Sequence, residues 1–139
     1  MKISARNQIK VAISNIEKGA VNSFLTLTTK LGTQLGSSIT NSSVEAMDLH
    51  VGEEVICFFK ASNVLVATDI IPNISAKNKI VGTVKTIKIG AVNSEVVIVI
   101  ENSDEITAII TNDAVEDLGL KEGDKAVAII KANEVMLAK

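Results

Sequence analysis

The sequence predicts an all-β protein with one short helix in each of two modules, and three observations support this prediction. Runs such as "VGTVKTIKIG" and "AVNSEVVIVI" are rich in β-branched residues, and their apolar positions alternate as in strands. The chain repeats itself at an offset of 71 residues. Aromatic residues make up only 2% of a chain that is 47% hydrophobic, so the core must be built from Val, Ile, Leu and Ala.

The repeat sets the domain organisation. "ISARNQIK" from Ile3 aligns with "ISAKNKIV" from Ile74, "GAVNS" occurs twice, and "KASNVLVA" aligns with "KANEVMLA". The alignment needs no gap, and roughly a third of the paired positions are identical, well beyond chance. We therefore predict two domains, residues 1–69 and 70–139, joined at "DIIPN", which holds the only proline. A module of this size buries only about 60% of its unfolded surface, so we expect the modules to pack on each other or on further copies.

The elements of the second module follow in order. "VGTVKTIKIG" is predicted to be a strand that ends in a turn at Gly90, "AVNSEVVIVI" a second strand, "NSDE" a turn and "EITAII" a third strand. Thr111 and Asn112 then cap a short helix, which Gly119 ends. "LKEGD" is a turn, and "KAVAIIKANEVMLA" supplies the closing strands. The first module repeats this order. Five short strands usually curl into a small barrel of the oligonucleotide/oligosaccharide-binding (OB) type, so we predict two tandem OB-like five-stranded barrels.

Composition argues against several classes of function. The net charge is −2 and the pI about 5.4, with few aromatics for base stacking, so we expect no nucleic-acid partner. No apolar run is long enough to cross a bilayer, and the first twenty residues lack the apolar centre of a signal peptide, so we expect no membrane partner. The single Cys57 cannot form an internal disulfide, fits a reducing cytoplasm, and is predicted to be a small buried hydrophobe.

No motif in the sequence predicts an enzyme. The one histidine, His50, lies in a turn where the other module has Lys121, so we expect a solvated residue. Cys and His show no metal-ligand spacing, and no nucleophile elbow, Walker loop or dinucleotide fingerprint occurs. Glu45 and Glu116 recur, and we expect them at the start of the short helix, where a negative charge suits the helix dipole. We predict no catalysis, no cofactor and no metal held directly by protein ligands.

The recurring polar residues are mostly hydrogen-bond donors. Each module has a Ser-Ala-cation triplet, a threonine before the helix, and a Lys-Ala pair near its end. Ser4 and Arg6 lie two residues apart, so on an extended segment they share a face. Hydroxyls, cations and backbone N–H groups near a helix start favour a compact anion. Turn capping and solvated charge explain the same residues without a ligand, and residue chemistry alone leaves both interpretations open.

A resemblance to a known family favours the anion. "ISARNQIK", "GAVNS", "SITNSSV", "HVGEEV" and "FFKASNV", in that order, resemble the molybdate-binding Mop (TOBE) domain. Two such domains in tandem resemble a molbindin of the di-Mop type, and the resemblance covers essentially the whole chain. It implies cytoplasmic homotrimers of OB-like barrels that bind molybdate, and often tungstate, at interfaces between modules. The implied role is oxyanion storage and homeostasis.

The resemblance also implies which residues bind. Ser and Arg of SARN and Lys of KAS face one side of the oxyanion, and Thr and Ser of ITxxS face it from a neighbouring module. The GAVN turns supply a second class of site nearer the threefold axis. The implied main donors are Ser4, Ala5, Arg6, Thr40, Ser43, Lys60, Ala61 and Ser62 in the first module and Ser75, Ala76, Lys77, Thr111, Lys131 and Ala132 in the second; the GAVN residues are Val21, Asn22, Val92 and Asn93.

The second module departs from the family pattern. Lys77 replaces the arginine, Ala114 replaces a serine, and Asn133 replaces the serine of KAS. Lysine lacks the planar fork of donors that arginine offers, so we expect weaker or differently tuned sites there. An alternative is a molybdate-sensing module that acts on a transporter ATPase or a transcription regulator. We expect neither, because no Walker motif or helix-turn-helix accompanies the modules here. A plain OB-type oligonucleotide binder is disfavoured by the acidic pI.

Overall fold

The computed structural model describes residues 2–68, 71–100 and 104–139, which form strands joined by short turns. The predicted joint at 69–73 and the predicted turn at 102–105 fall partly outside these ranges, and the described part of that turn, Asp104 and Glu105, lies in a strand instead. Both repeats contain five strands, one short α-helix and one 3₁₀ turn, in the same order. The first repeat has β1 (Asn7–Lys18), β2 (Asn22–Thr28), β3 (Gln34–Thr40), α1 (Asn41–Ala46), β4 (Glu54–Phe59), a 3₁₀ turn (Ala61–Asn63) and β5 (Leu65–Thr68). The second has β6 (Asn78–Ile89), β7 (Asn93–Ile100), β8 (Asp104–Thr111), α2 (Asn112–Leu118), β9 (Lys125–Ile130), a 3₁₀ turn (Ala132–Glu134) and β10 (Met136–Ala138).

The strands form two antiparallel five-stranded sheets that exchange their last strands. The first sheet has the order β10-β4-β1-β2-β3 and the second β5-β9-β6-β7-β8. Leu137 of β10 pairs with Cys57, and Leu65 of β5 pairs with Ile129. The all-β, OB-like fold is thus as predicted. Each sheet is nevertheless completed by a strand from the other repeat, and not by the closing strand of its own.

The two repeats share one hydrophobic core. A single cluster of buried side chains contains Ile13 and Phe59 of the first repeat together with Ile98 and Ile130 of the second. The expectation that the modules pack on each other is therefore confirmed. Cys57 lies in this core with no exposed surface, which confirms its predicted role as a buried apolar residue.

Helix α2 begins and ends at the residues that the sequence predicts. The Thr111 hydroxyl accepts a hydrogen bond from the Ala114 N–H, and Gly119 ends α2 in the left-handed region at φ 59°. The expected position of Glu45 and Glu116 at the helix start is wrong. These helices have only six and seven residues, so the fifth position already lies in the last turn. Neither described helix has the length or apolarity to span a bilayer.

Candidate anion-binding site

The Ser-Ala-cation triplets lie just before the first strand of each repeat. Ala5 is buried, while Ser4 and Arg6 on either side of it are exposed, so the two polar side chains share the solvent side. The second repeat has the same alternation, with Ala76 buried between exposed Ser75 and Lys77. Burial of the small central residue holds the backbone against the protein and directs both flanking donors outward.

The Lys-Ala segments lie beside the triplets because the strands that carry them are paired. Asn7, directly after the first triplet, pairs with Phe59, directly before Lys60. Lys60 and Ser62 are exposed around buried Ala61, at the start of the 3₁₀ turn. In the second repeat the ladder pairs Asn78 with Ile130 in the same way, and Lys131 and Asn133 flank buried Ala132.

A cavity marks the point where the triplet and the Lys-Ala segment of the second repeat meet. It has a volume of about 260 Å³ and carries two ammonium groups, one hydroxyl from each repeat and one aromatic ring. The structure thus brings together five of the sequence-predicted residues of the second repeat. The lining residues are Ser75, Ala76, Lys77, Lys131, Ala132 and Asn133, with Phe24 and Ser38 from the first repeat.

The corresponding place in the first repeat is built differently. The repeat offset puts Glu95 and Ile109 of β7 and β8 where the cavity has Phe24 and Ser38. The 3₁₀ turn Ala61–Asn63 packs on β8 as the turn Ala132–Glu134 packs on β3. Arg6 Nη2 donates a hydrogen bond of 2.6 Å to Glu95 Oε2. A carboxylate therefore already holds the guanidinium of the first-repeat triplet.

Two buried asparagines that were not among the predicted site residues position the triplets. Asn7 is 2% exposed, and its amide bonds the Thr107 backbone twice, as acceptor from N–H at 2.7 Å and as donor to C=O at 2.8 Å. Asn78 makes the same pair of bonds to Gly36, at 2.7 and 2.9 Å. Each side-chain amide thus bonds both the N–H and the C=O of one backbone residue, as a neighbouring strand would. These bonds connect each triplet to the other repeat. The recurrence of Asn at the same position of both repeats was the signal available in the sequence.

The threonines before the helices act as caps in the described chain. Thr40 Oγ1 accepts from the Ser43 N–H at 3.1 Å and donates to Ser43 Oγ at 2.9 Å. Thr111 Oγ1 likewise accepts from the Ala114 N–H at 3.1 Å, but Ala114 has no hydroxyl to which Thr111 could donate. None of these residues lines the cavity described above. The structure thus does not bring the threonines together with the Ser-Ala-cation triplets within one chain.

The GAVN turns pack against the helix starts and form a separate cluster. The Asn41 N–H donates to the Val21 carbonyl at 2.8 Å, and Ser23 Oγ donates to Asn41 Oδ1 at 2.6 Å. The Asn22 carbonyl closes the turn by accepting from the Gly19 N–H at 2.8 Å. The second repeat reproduces these bonds, with Val92 and Asn93 in the corresponding positions. Both valines are 70% exposed, which places an apolar side chain in solvent at the tip of each turn.

The described residues outside these clusters include one histidine and one cysteine. His50 is exposed, as expected, with Nε2 2.9 Å from Asp48 Oδ1. Desolvation raises the pKa of the buried Cys57 thiol to about 12, so it is not a thiolate at neutral pH. Within the ranges that the structure covers, no group of three or more His, Cys, Asp or Glu side chains could hold a metal ion.

Comparison with known proteins gives consistent matches over both repeats. The model of the TOBE domain matches residues 3–66 and 74–137. The molybdenum transport protein ModE of Herbaspirillum seropedicae and the molybdenum-pterin-binding protein MopA of Rhodobacter capsulatus are each 37% identical over 139 residues. Each alignment covers 99% of this chain and 52% of the relative, so the chain spans about half the length of these two proteins.

A shorter relative and a solved structure match over nearly their whole length. Molybdenum-pterin-binding protein 3 of Clostridium pasteurianum is 46% identical over 65 residues, which is 96% of that protein and 47% of this chain. The crystal structure of the cytoplasmic molybdate-binding protein ModG with molybdate bound has a TM-score of 0.95 to this chain and 43% sequence identity. The match covers 99% of both chains.

Proposed function

This chain belongs to the TOBE-domain family, with two copies in tandem, and we propose that it binds molybdate and serves as a cytoplasmic store of that oxyanion. The main support for this proposal is the cavity that Ser75, Lys77 and Lys131 line together with the buried Ala76 and Ala132. Its donors suit a compact dianion, and the molybdate-bound ModG structure matches this fold with a TM-score of 0.95 over 99% of both chains. Tungstate has the same charge and shape and belongs to the same proposal.

Binding follows from preformed hydrogen bonds. A desolvated tetrahedral dianion needs donors on every side, and each triplet with its Lys-Ala segment supplies a hydroxyl, two cations and main-chain N–H groups on one side. A neutral hydrogen bond contributes about 0.5–1.5 kcal/mol and one to a charged group about 1.5–3 kcal/mol. Five or six donors therefore support micromolar or tighter affinity.

We propose that an adjoining copy supplies the other side of the anion. Thr40, Ser43 and Thr111 are partly or fully exposed and do not line the cavity of their own chain, so they are free to face a triplet of a neighbouring copy. A homotrimer, as the family resemblance implies, would place them there. The exposed Val21 and Val92 support the same assembly, because an apolar turn tip gains by burial at a threefold contact. The GAVN turns, including Asn22 and Asn93, would form a second class of site near that axis.

Native mass spectrometry with and without molybdate tests this function. We expect a trimer that gains discrete increments of molybdate mass, and isothermal titration should give micromolar or tighter binding. Sulfate serves as the control, because its charge and shape are the same while its smaller size fits a molybdate cavity less well. A monomer that takes up no molybdate at concentrations well above the micromolar range would refute the proposal.

The two repeats should contribute unequal sites, and substitution of the second repeat toward the first tests this. A Ser at position 114 can bond Thr111 as Ser43 bonds Thr40, and an Arg at position 77 supplies a planar fork. We expect the Lys77→Arg, Ala114→Ser double variant to tighten these sites by about tenfold, since one added hydrogen bond to the charged anion contributes about 1.5–3 kcal/mol and a tenfold change corresponds to about 1.4 kcal/mol. An unchanged affinity and an unchanged number of bound anions in calorimetric titration would count against it.

The match to ModE favours a second function, which is molybdate sensing. The aligned region covers 52% of ModE. The tandem domains would then sense molybdate and act on a partner chain that transports molybdate or regulates transcription. Pull-down from a cell extract separates the two functions. A stoichiometric ATPase or DNA-binding partner supports sensing, whereas recovery of the chain alone supports storage.

A further inference from the structure

The two Ser-Ala-cation triplets face different side chains from the other repeat. The difference lies in one pair of equivalent positions, 24 and 95. Position 24 of the first repeat is Phe, and its side chain lines the cavity beside Lys77. The equivalent position 95 of the second repeat is Glu, and its carboxylate bonds Arg6. One triplet of the chain thus faces an aromatic ring and the other a negative charge.

The contact between Arg6 and Glu95 is direct and partly sheltered. Nη2 and Oε2 are 2.6 Å apart, with the arginine side chain 52% exposed and the glutamate side chain 29% exposed. The guanidinium is the group that a molybdate ion at this site would need. Glu95 therefore competes with the ligand for the same donor.

A second cation lies within reach of Glu95. In the β6–β7 ladder Lys88 pairs directly with Glu95, and side chains at such positions have Cβ atoms about 4.5–5.5 Å apart. A carboxylate that leaves Arg6 can therefore be taken up by the Lys88 ammonium group. In the β1–β2 ladder Phe24 pairs with Glu17, which is the equivalent of Lys88, so the second-repeat triplet has no such exchange.

We infer that Glu95 holds Arg6 as an internal competitor and is displaced toward Lys88 when the oxyanion binds, which makes Glu95 the residue that sets the affinity of the first-repeat site. Glu95 is a positioning residue here, because it acts through Arg6 and does not contact the anion. This inference rests on the proposed molybdate binding. It reverses the order of the two sites expected from their donors alone, because Arg6 is the better donor but is already engaged.

Molybdate titration of Glu95→Gln by calorimetry tests the inference. Glutamine keeps the size of the side chain and removes its charge, and we expect affinity at one class of site to rise about fivefold, the upper end for a partly exposed ion pair. Glu105→Gln is the matched control. It removes the same charge from a similar ion pair, Glu105 with Lys85 at 2.7 Å, on the adjacent strand of the same sheet. We expect the control to change the affinity by less than about twofold.

A double-mutant cycle shows whether the effect passes through Arg6. In an Arg6→Gln background, Glu95→Gln should bring no more gain than Glu105→Gln, because no guanidinium remains to be released. Equal gains from both glutamine variants in the parent chain would indicate a net-charge effect and overturn the inference. A gain that persists undiminished without Arg6 would overturn it as well.

The outcomes also separate this inference from the proposed function. A parent chain that binds no molybdate refutes the function and, with it, the inference. A parent chain that binds molybdate while Glu95→Gln behaves as the control refutes the inference alone. Phe24→Glu against Phe24→Gln provides the converse experiment: the added carboxylate next to Lys77 should weaken the second-repeat site, and equal affinities of the two variants would contradict it.

Discussion

Leu137→Ala is the sharpest test of the strand exchange. Leu137 is 9% exposed, belongs to the shared core and pairs with Cys57 of the first repeat, although it lies in the second repeat of the sequence. Truncation of a buried leucine to alanine costs about 2–5 kcal/mol, and the slight exposure of this one places the expected loss at about 2–4 kcal/mol. Such a loss is a large fraction of the stability of an ordinary domain, which is about 5–15 kcal/mol.

The assay is urea unfolding followed by far-ultraviolet circular dichroism, because the chain has no Trp or Tyr. Met136→Ala is the control, since Met136 is the neighbouring residue on the same strand, is 41% exposed, and should cost within about 0.5 kcal/mol. Amide hydrogen exchange then identifies the sheet that is affected. Faster exchange by local opening should appear in β4, at Ile56 and Cys57. The strand exchange would be refuted if faster hydrogen exchange were confined to β9 of the second repeat. It would also be refuted if Leu137→Ala lost no more stability than Met136→Ala.

Three further predictions concern single residues. Asp48 occupies the left-handed region at φ 51° where the second repeat has Gly119, so Asp48→Gly should raise the free energy of unfolding by about 0.5–1 kcal/mol and Gly119→Asp should lower it similarly in urea titrations. The hydrogen bond from Lys139 lowers the pKa of Glu53, so its stabilisation is present above the ordinary carboxyl pKa of 4.5 and is lost as the pH falls through the lower folded-state pKa. Thermal melts from about pH 6 to about pH 3 should therefore show a smaller loss for Lys139→Gln, and equal slopes would contradict the pairing. Cys57 should resist a thiol reagent until urea unfolds the chain, because it is fully buried with a pKa of about 12; rapid labelling of the native protein would be contrary to this.

Local chemistry was enough to predict most of the strands and the two ends of α2. Thr111 and Gly119 delimit α2 as predicted, because capping depends on a few adjacent atoms. The destination of the last strands was not predictable in this way. "VLVA" and "VMLA" occupy equivalent positions and carry the same apolar pattern, so each fits the free edge of either sheet. Each 3₁₀ turn packs on a strand of the other repeat, β8 or β3, and the strand that follows the turn joins the sheet of that repeat.

The candidate site likewise has a part that the sequence predicts and a part that it does not. The triplets and the Lys-Ala segments contain donors that recur, and their placement on adjacent strand ends follows from the repeat and the strand pairing. The ion pair between Arg6 and Glu95 joins residues 89 positions apart in different repeats, and no local pattern encodes such a contact. Asn7 and Asn78 recur as clearly as the donors do, but their role depends on a backbone partner that only the folded chain brings near.

The exchanged strands also bear on why the two repeats are joined in one polypeptide. Two separate repeats could reproduce the observed pairings of β10 with β4 and β5 with β9 only by meeting, so this arrangement would depend on protein concentration. Covalent linkage makes that encounter intramolecular, and a short tether typically gives a local concentration in the millimolar range. The duplicated chain can therefore complete both sheets even at a high dilution, where separate halves would dissociate.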